Sequence, residues 1–335
     1  MHGIGDKYDK TAGPNYSIRM RNQCPILHLR DYNNWVKSSV IDHFCPFPNA
    51  VILDLACGKG GDIPKFRLKN PSQMVFADCS LKSLERAFEK FQKMSDSCKA
   101  TFIHGDSFGN DITKVFTGLK FHFASCQFAL HYSFKAFDTA YCAVRNLCSC
   151  VHEGGYCFIT IPNSLKLVEL FREHGRFFQN SVLQLKCNFD PNNPIPPFGA
   201  GYNFTLAESV DDLEEFLVHP KVLTSLLKEF NFDLVKKSGF HEYYQECLDK
   251  PEMKSLFHRL LEIGNFEATK MTKDEWFVCG LYSLFVFKKR GEPTELRKEA
   301  IYKGLQTSWT MRVYDACTGS VIDRDIVPTK KINKK

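Results

Sequence analysis

Three aspartates recur in this 335-residue chain in one local setting, each where an apolar run gives way to a turn. Asp54 closes "AVILDL" and leads into "ACGKGGD"; Asp78 closes "MVFADC"; Asp106 stands in "HGDSF", behind "ATFIHGD". The first carries the spacing Asp54-x-Ala56-x-Gly58-x-Gly60-Gly61, which is DxAxGxG and not the GxGxxG of dinucleotide-binding turns. Glycines at such a turn let a ligand approach the backbone, and the amides at the start of the following helix point inward. Asp78, about 20 residues on, stands where a ribose diol could be gripped. Asp106, at the end of the third apolar run, is within reach of an adenine amino group. Acids at three successive strand ends suit a ribose-and-adenine ligand that needs little phosphate contact. S-adenosylmethionine is such a ligand, having no phosphate and a positively charged sulfonium.

Elements must hold those acids in register, and the patterning supplies them. Strand-like runs at 50–55, 74–79, 100–106, 121–130 and 154–162 alternate with helical patterns. Leu81, Leu84, Phe88 and Phe91 recur at helical spacing after Ser80, a suitable N-cap, and "FDTAYCAVRNLCSCV" reads as a further helix. Such alternation predicts an α/β fold with a doubly wound, mostly parallel sheet over 45–162. The character changes at 176–204, where "CNFDPNNPIPPFGAGYNF" carries four prolines and predicts a long irregular connection or a short hairpin. Beyond it "VDDLEEFLVHPKVLTSLLKEFNF" reads as helical with a break at Pro220. "FDLVKKSGF" and "WFVCGLYSLFVFKK" read as closing strands, and the residues after Lys289 show no period.

Composition narrows the function classes. The formal charge of +6, from 44 basic and 38 acidic residues, permits a polyanionic partner without demanding one. Fourteen cysteines contain no CxxC pair, so no metal is expected, and they read as small buried hydrophobes of a reducing compartment. "MHGIGDKYDK" lacks an apolar core segment, and no apolar run nears the ~18 residues of a membrane span. A soluble intracellular protein is expected. Lys330, Lys331, Lys334 and Lys335 form a basic tail that fits nuclear import, RNA contact or plain disorder equally well.

Several ordered motifs carry a resemblance. "RDYNNWVKS", "LDLACGKGGDIPKF", "ADCS", "GDSF", "CQFALHYSF", "GGYCFITIPNS", "VDDLEEFLV" and "DEWFVCGLYSLFVFKK" together resemble the eukaryotic mRNA cap guanine-N7 methyltransferases over about residues 8–290. Ala56 departs from the glycine common in that family, a change the turn tolerates if the local φ is negative. The resemblance implies a Rossmann-like S-adenosylmethionine-dependent methyltransferase with a cap-side insertion at 163–290 and a C-terminal extension at 291–335. It implies that Lys37 touches the cofactor's carboxylate side, Ala56 and Gly58 line its methionine and ribose, and Asp78 holds the ribose hydroxyls. Asp106 would hold the adenine amino group, with Gln127 and Tyr132 near the sulfonium. On the cap side it implies Asn33, Asn34, His131, Tyr132, Glu215 and Tyr282, with Lys59 toward the phosphates. Arg86 fits either the triphosphate or a charged outer surface. The implied partner is 5′-capped mRNA, with other capping enzymes nearby, in a nuclear monomer.

Guanine N7 already has its lone pair and no proton to lose, so methylation there needs no general base. No catalytic residue in that sense is expected; His131, Tyr132 and Glu215 would align the guanine. Each has a plainer reading. Alone, Glu215 beside Glu214 is a solvated acid on a helix, Tyr282 is a core residue, and "HY" at 131–132 is a packing pair. Two other functions stay open: a methyltransferase for another acceptor, and a catalytically silent cap-binding scaffold.

Overall fold

The computed structural model describes residues 24–93, 98–116, 118–249, 251, 270–291, 313–318 and 320–322. The basic tail and the motif match at residues 8–23 lie outside them.

Helix α1 (Leu27–Phe44) precedes the first βα unit, β1 (Val51–Leu55) and α2 (Ile63–Arg67). β2 (Gln73–Asp78), α3 (Leu81–Lys93), β3 (Lys99–His104), β4 (Phe121–Gln127), α4 (Phe137–Cys148) and β5 (Val151–Pro162) follow. The doubly wound α/β expectation is met. β1 pairs parallel with β2 on one side and with β4 on the other, β2 continues to β3, and β4 continues to β5. Alternate residues feed opposite faces. Ile52, Met74, Phe76, Phe102 and Phe123 pack toward α1 and α3, whereas Leu53, Leu55, Val75, Ile103 and Ala124 pack toward α4. A sheet buried on both faces reads as continuous apolar runs, which is why the strands were legible. Each of the larger of these side chains contributes roughly 1.5–3 kcal/mol by leaving water.

Strand order reverses at β1 and β4. In open α/β sheets the crevice beyond the carboxyl ends at that reversal is where ligands bind. Asp54 and the glycine turn lie there.

α5 (Ser164–His174) leaves β5 behind an Asn163 cap whose side chain accepts the Leu165 and Lys166 amides. The 176–204 region then departs from expectation. β6 (Phe177–Gln179), β7 (Leu183–Cys187), β8 (Gly201–Leu206) and β9 (Val210–Phe216) form a separate antiparallel meander, and only 188–200 is irregular. The 210–216 stretch is a strand, not the start of a helix; the helix is α6 (Pro220–Lys228), with proline in its first turn, where no amide partner is needed.

β10 (Phe232–Gly239), α7 (Phe240–Asp249), α8 (Lys273–Gly280) and β11 (Tyr282–Lys289) complete the main sheet. The "WFVCG" residues expected in a strand instead end α8, which a Thr272–Glu275 capping box starts. Glu275 also accepts the Leu29 amide at 3.1 Å, so one buried carboxylate fastens α8 to α1. Beyond the expected boundary at 290, β12 (Val313–Asp315) pairs parallel with β3, and β13 (Val321–Ile322) pairs antiparallel with β12. The full order is β10-β11-β5-β4-β1-β2-β3-β12-β13. Among the described residues no helix is long and apolar enough to cross a membrane.

Candidate functional site

The turn after β1 winds through left-handed backbone three times, at Ala56 (φ +58°), Gly58 (+53°) and Gly60 (+66°). The negative φ expected for Ala56 is therefore corrected. Its methyl sits in a conformation that costs an L-residue roughly 1–2 kcal/mol, and glycine would be at ease there. Gly60 is required twice over, because a Cβ would stand 2.4 Å from Ile63 Cδ1. Gly61 has neither constraint. At Gly58 a Cβ would meet nothing within 4 Å, so the backbone there faces an open cradle.

Asp78 ties that cradle down. Its Oδ2 accepts the Gly58 amide at 2.8 Å and its Oδ1 the Ser80 amide at 2.9 Å. A carboxylate offers about four acceptor sites, and these amides fix the direction in which Asp78 presents the rest of its capacity. Asp106 lies two residues past the end of β3, in a turn. Its Oδ1 accepts the Phe108 and Gly109 amides at 3.0 Å each. Gly109 is needed there, since a Cβ would come within 2.7 Å of Asp106 Oδ2.

A charge cluster under the turn was not foreseen. Lys37 Nζ and Lys65 Nζ each lie 2.7 Å from Asp62 Oδ1. Burial opposes charge on Asp62, but the two ammonium groups prevail and hold its carboxyl below the ordinary range. Asp54, deeper still, is pushed well above that range by burial and then by Asp62, against the pull of Lys37 and Lys65. Lys37 also lies 5.7 Å from the Phe128 ring centroid, so it stands between the acids and an aromatic wall.

Glu215 anchors the second half of the site. Its carboxylate is 4% exposed and accepts the Tyr132 hydroxyl on Oε1 at 3.1 Å and the Tyr202 hydroxyl on Oε2 at 2.7 Å. His131 Nε2 stands 3.3 Å from Oε1, and His131 Nδ1 is buried with no hydrogen-bond partner. His131 and Tyr132 come from a 3₁₀ turn (Leu130–Lys135) after β4, whereas Glu215 and Tyr202 come from β9 and β8. The expectation of a helical Glu215 is thus overturned, yet the three residues expected to align the guanine do converge. Phe128, held at φ +54° with its amide bonded to Thr160 O and Oγ1, projects its ring edge-on to Tyr282 at 5.0 Å. Left-handed backbone at a bulky residue costs of order 1–3 kcal/mol and marks functional sites.

Other predicted residues fall less neatly. The Gln127 side chain is spent inside the protein, its Nε2 donating to Ser125 Oγ and Phe158 O and its Oε1 accepting from Thr160 Oγ1. That leaves its backbone as the means of any cofactor contact. Asn34 Oδ1 accepts from Lys65 Nζ at 3.0 Å, which places it beside the glycine turn. Asn33 Oδ1, one residue earlier, is buried with no hydrogen-bond partner. Lys59 is exposed on the turn, and partial desolvation with Arg86 and Arg30 lowers its pKa. The irregular 188–200 segment is rooted on the 3₁₀ turn: Phe198 stacks on Phe134 at 5.6 Å and Gly199 donates to Phe134 O. Tyr202 and Phe128 escaped the sequence reading, although Phe128 lies within "CQFALHYSF".

A family model described as the mRNA (guanine-N(7))-methyltransferase domain matches residues 4–290. The chain belongs to this family. It is 32% identical to mRNA cap guanine-N(7) methyltransferase 1 of Oryza sativa subsp. japonica, covering 88% of this chain and 83% of that protein. The Arabidopsis thaliana counterpart is 31% identical over the same shares. The Drosophila melanogaster mRNA cap guanine-N(7) methyltransferase is 29% identical, over 80% of this chain and 73% of its own length.

Proposed function

We propose that this protein transfers the methyl group of S-adenosylmethionine to N7 of the guanosine cap at the 5′ end of mRNA. The observation that carries the acceptor assignment is the buried Glu215 carboxylate, oriented by two tyrosine hydroxyls. Each of its oxygens can accept two hydrogen bonds, so one tyrosine on each leaves acceptor capacity for the guanine N1–H and exocyclic amine. Adenine does not present those two donors together. The site residues fit the methyl donor as well: an open glycine cradle at Gly58, a fixed carboxylate at Asp78 and a second at Asp106.

S-adenosylmethionine, when bound, supplies an electrophilic methyl group on a positively charged sulfur. Everything else falls to this chain. Gly58 and Asp78 would seat the ribose, Asp106 the adenine, and Lys37 the carboxylate end. Glu215, His131 and Tyr132 would hold the guanine so that its N7 faces the methyl group, and Tyr282 and Phe128 would wall off water. Such alignment replaces a bimolecular encounter by a fixed geometry and can supply several kcal/mol of the barrier. Positive charge ends delocalised over the purine, where the Glu215 carboxylate and the tyrosine faces stabilise it. N7 has no proton to lose, so none of these groups need act as a base.

The reading implies a nuclear site of action on nascent transcripts, downstream of a guanylyl-transfer reaction that makes the GpppN end. The test is methyl transfer from labelled S-adenosylmethionine to GpppA and to ApppA. Label appearing on guanine N7 of the first and not on the second is the expected result. Equal labelling of both, or labelling of neither, would overturn the assignment.

A further inference from the structure

The segment 313–322 lies outside the family match, yet it adds to the cofactor half of the sheet. β12 extends β3 in register, Val313 opposite Phe102, Tyr314 opposite Ile103 and Asp315 opposite His104. The pairing continues past the strand, where the Ala316 amide donates to His104 O at 2.9 Å. Ala316 is fully buried, and its Cβ lies 2.4 Å from where a Cβ on Gly105 would stand. Gly105, at φ +140°, thus makes room for the C-terminal segment while its own amide is bonded to Asp78 O. The next residue is Asp106.

Further ties hold the hairpin to the same corner. Lys114 Nζ donates to Cys317 O at 2.7 Å, joining it to the 3₁₀ turn (Thr113–Phe116) that follows Asp106. Asp315 Oδ1 accepts the Cys317 and Thr318 amides, closing the hairpin's own turn. Tyr314 and Ala316 pack in the same apolar cluster as Ile103, Phe108 and Ile112.

We infer that the C-terminal hairpin is a positioning element for the adenosyl-binding turn, with Ala316 pressing on Gly105 to set where Asp106 stands. This rests on the reading of Asp106 as an adenine-side anchor. The Gly105–Asp106 turn is clamped from below by Asp78 O and from the side by Ala316, so the hairpin belongs to the cofactor site although no residue of it need touch the ligand.

The experiment compares the full chain with Ala316→Leu, measuring calorimetric binding of S-adenosylhomocysteine and of GpppA, together with thermal unfolding. Displacing a binding group by a fraction of an ångström should weaken S-adenosylhomocysteine by about tenfold, with GpppA affinity held within about twofold. In turnover the same variant should raise KM for S-adenosylmethionine with little change in kcat. Should Ala316→Leu fail to fold, Lys114→Met, which cuts the tether to Cys317, carries the test with an expected weakening of about threefold. Unchanged S-adenosylhomocysteine affinity in a folded variant overturns the inference, as does equal loss for both ligands. A parent protein that binds no S-adenosylhomocysteine at all would instead overturn the cofactor reading beneath it.

Discussion

Glu215 is where one side chain carries the most. Its environment is buried, hydrogen-bonded and shared by two tyrosines, so Glu215→Ala removes an acceptor from both hydroxyls as well as the proposed partner of the guanine. We expect a loss of about 2–4 kcal/mol in transition-state stabilisation, read as kcat/KM for GpppA, with S-adenosylhomocysteine binding retained. Ala56 predicts the opposite sign. At φ +58° it is strained, and Ala56→Gly relieves that strain while adding chain freedom to the unfolded state. The net effect should be a gain of about 0.5–1 kcal/mol, measured by urea unfolding. At this scale the sequence was readable where a motif brackets the residue, as with His131, Tyr132 and Asp78. It was silent on Tyr202, since only the folded meander reveals that a tyrosine near a proline-rich stretch shares a carboxylate with one 70 residues earlier.

At the scale of elements, the main misreading is instructive. In β9 the inward positions are Leu213 and Glu215, with Asp212 and Glu214 outward. An acid fills an apolar slot, so the strand's alternation vanishes and the Leu213, Phe216 and Leu217 spacing passes for a helix. The residue proposed to hold the guanine itself erased the signal, as expected where function overrides local rules. The parallel strands, buried on both faces, kept near-continuous apolar runs despite Asp54 in β1 and stayed legible. The α8 cap makes a second prediction. Glu275 bonds Thr272 N at 2.9 Å and Leu29 N at 3.1 Å, and so serves both α8 and α1. Thr272→Ala should cost about 1 kcal/mol. Glu275→Ala should cost about twice that in urea unfolding, because it also frees the start of the helix that carries Asn33, Asn34 and Lys37.

The whole molecule should respond to acid through a site remote from the chemistry. His122, at the opposite end of β4 from the 3₁₀ turn, accepts the Val51 amide on Nδ1 at 3.0 Å and packs 4.8 Å from the His152 ring. Burial, then His152, lowers its pKa to about 4 from an ordinary 6.5. The unfolded chain therefore binds the extra proton first, so stability holds above about pH 6.5 and falls as pH drops toward 4. The loss should reach about 3 kcal/mol in urea titrations, and His122→Asn should flatten that slope. A boundary at residue 290 was also reasonable from sequence, since no period follows Lys289. Two short strands separated from their partner by some 200 residues leave no periodic trace, because long-range pairing is invisible to local patterning.

That late pairing has a consequence for solubility. β3 is six residues long, and without β12 beside it one side of the strand would present unsatisfied amides and carbonyls to any passing chain. The present rim, β13, is two residues long and too brief to template a neighbour. The opposite rim, β10, has a pairing irregularity between Leu234 and Lys236, followed by Lys237. Peeling the hairpin away should therefore raise self-association as concentration rises, whatever the catalytic state.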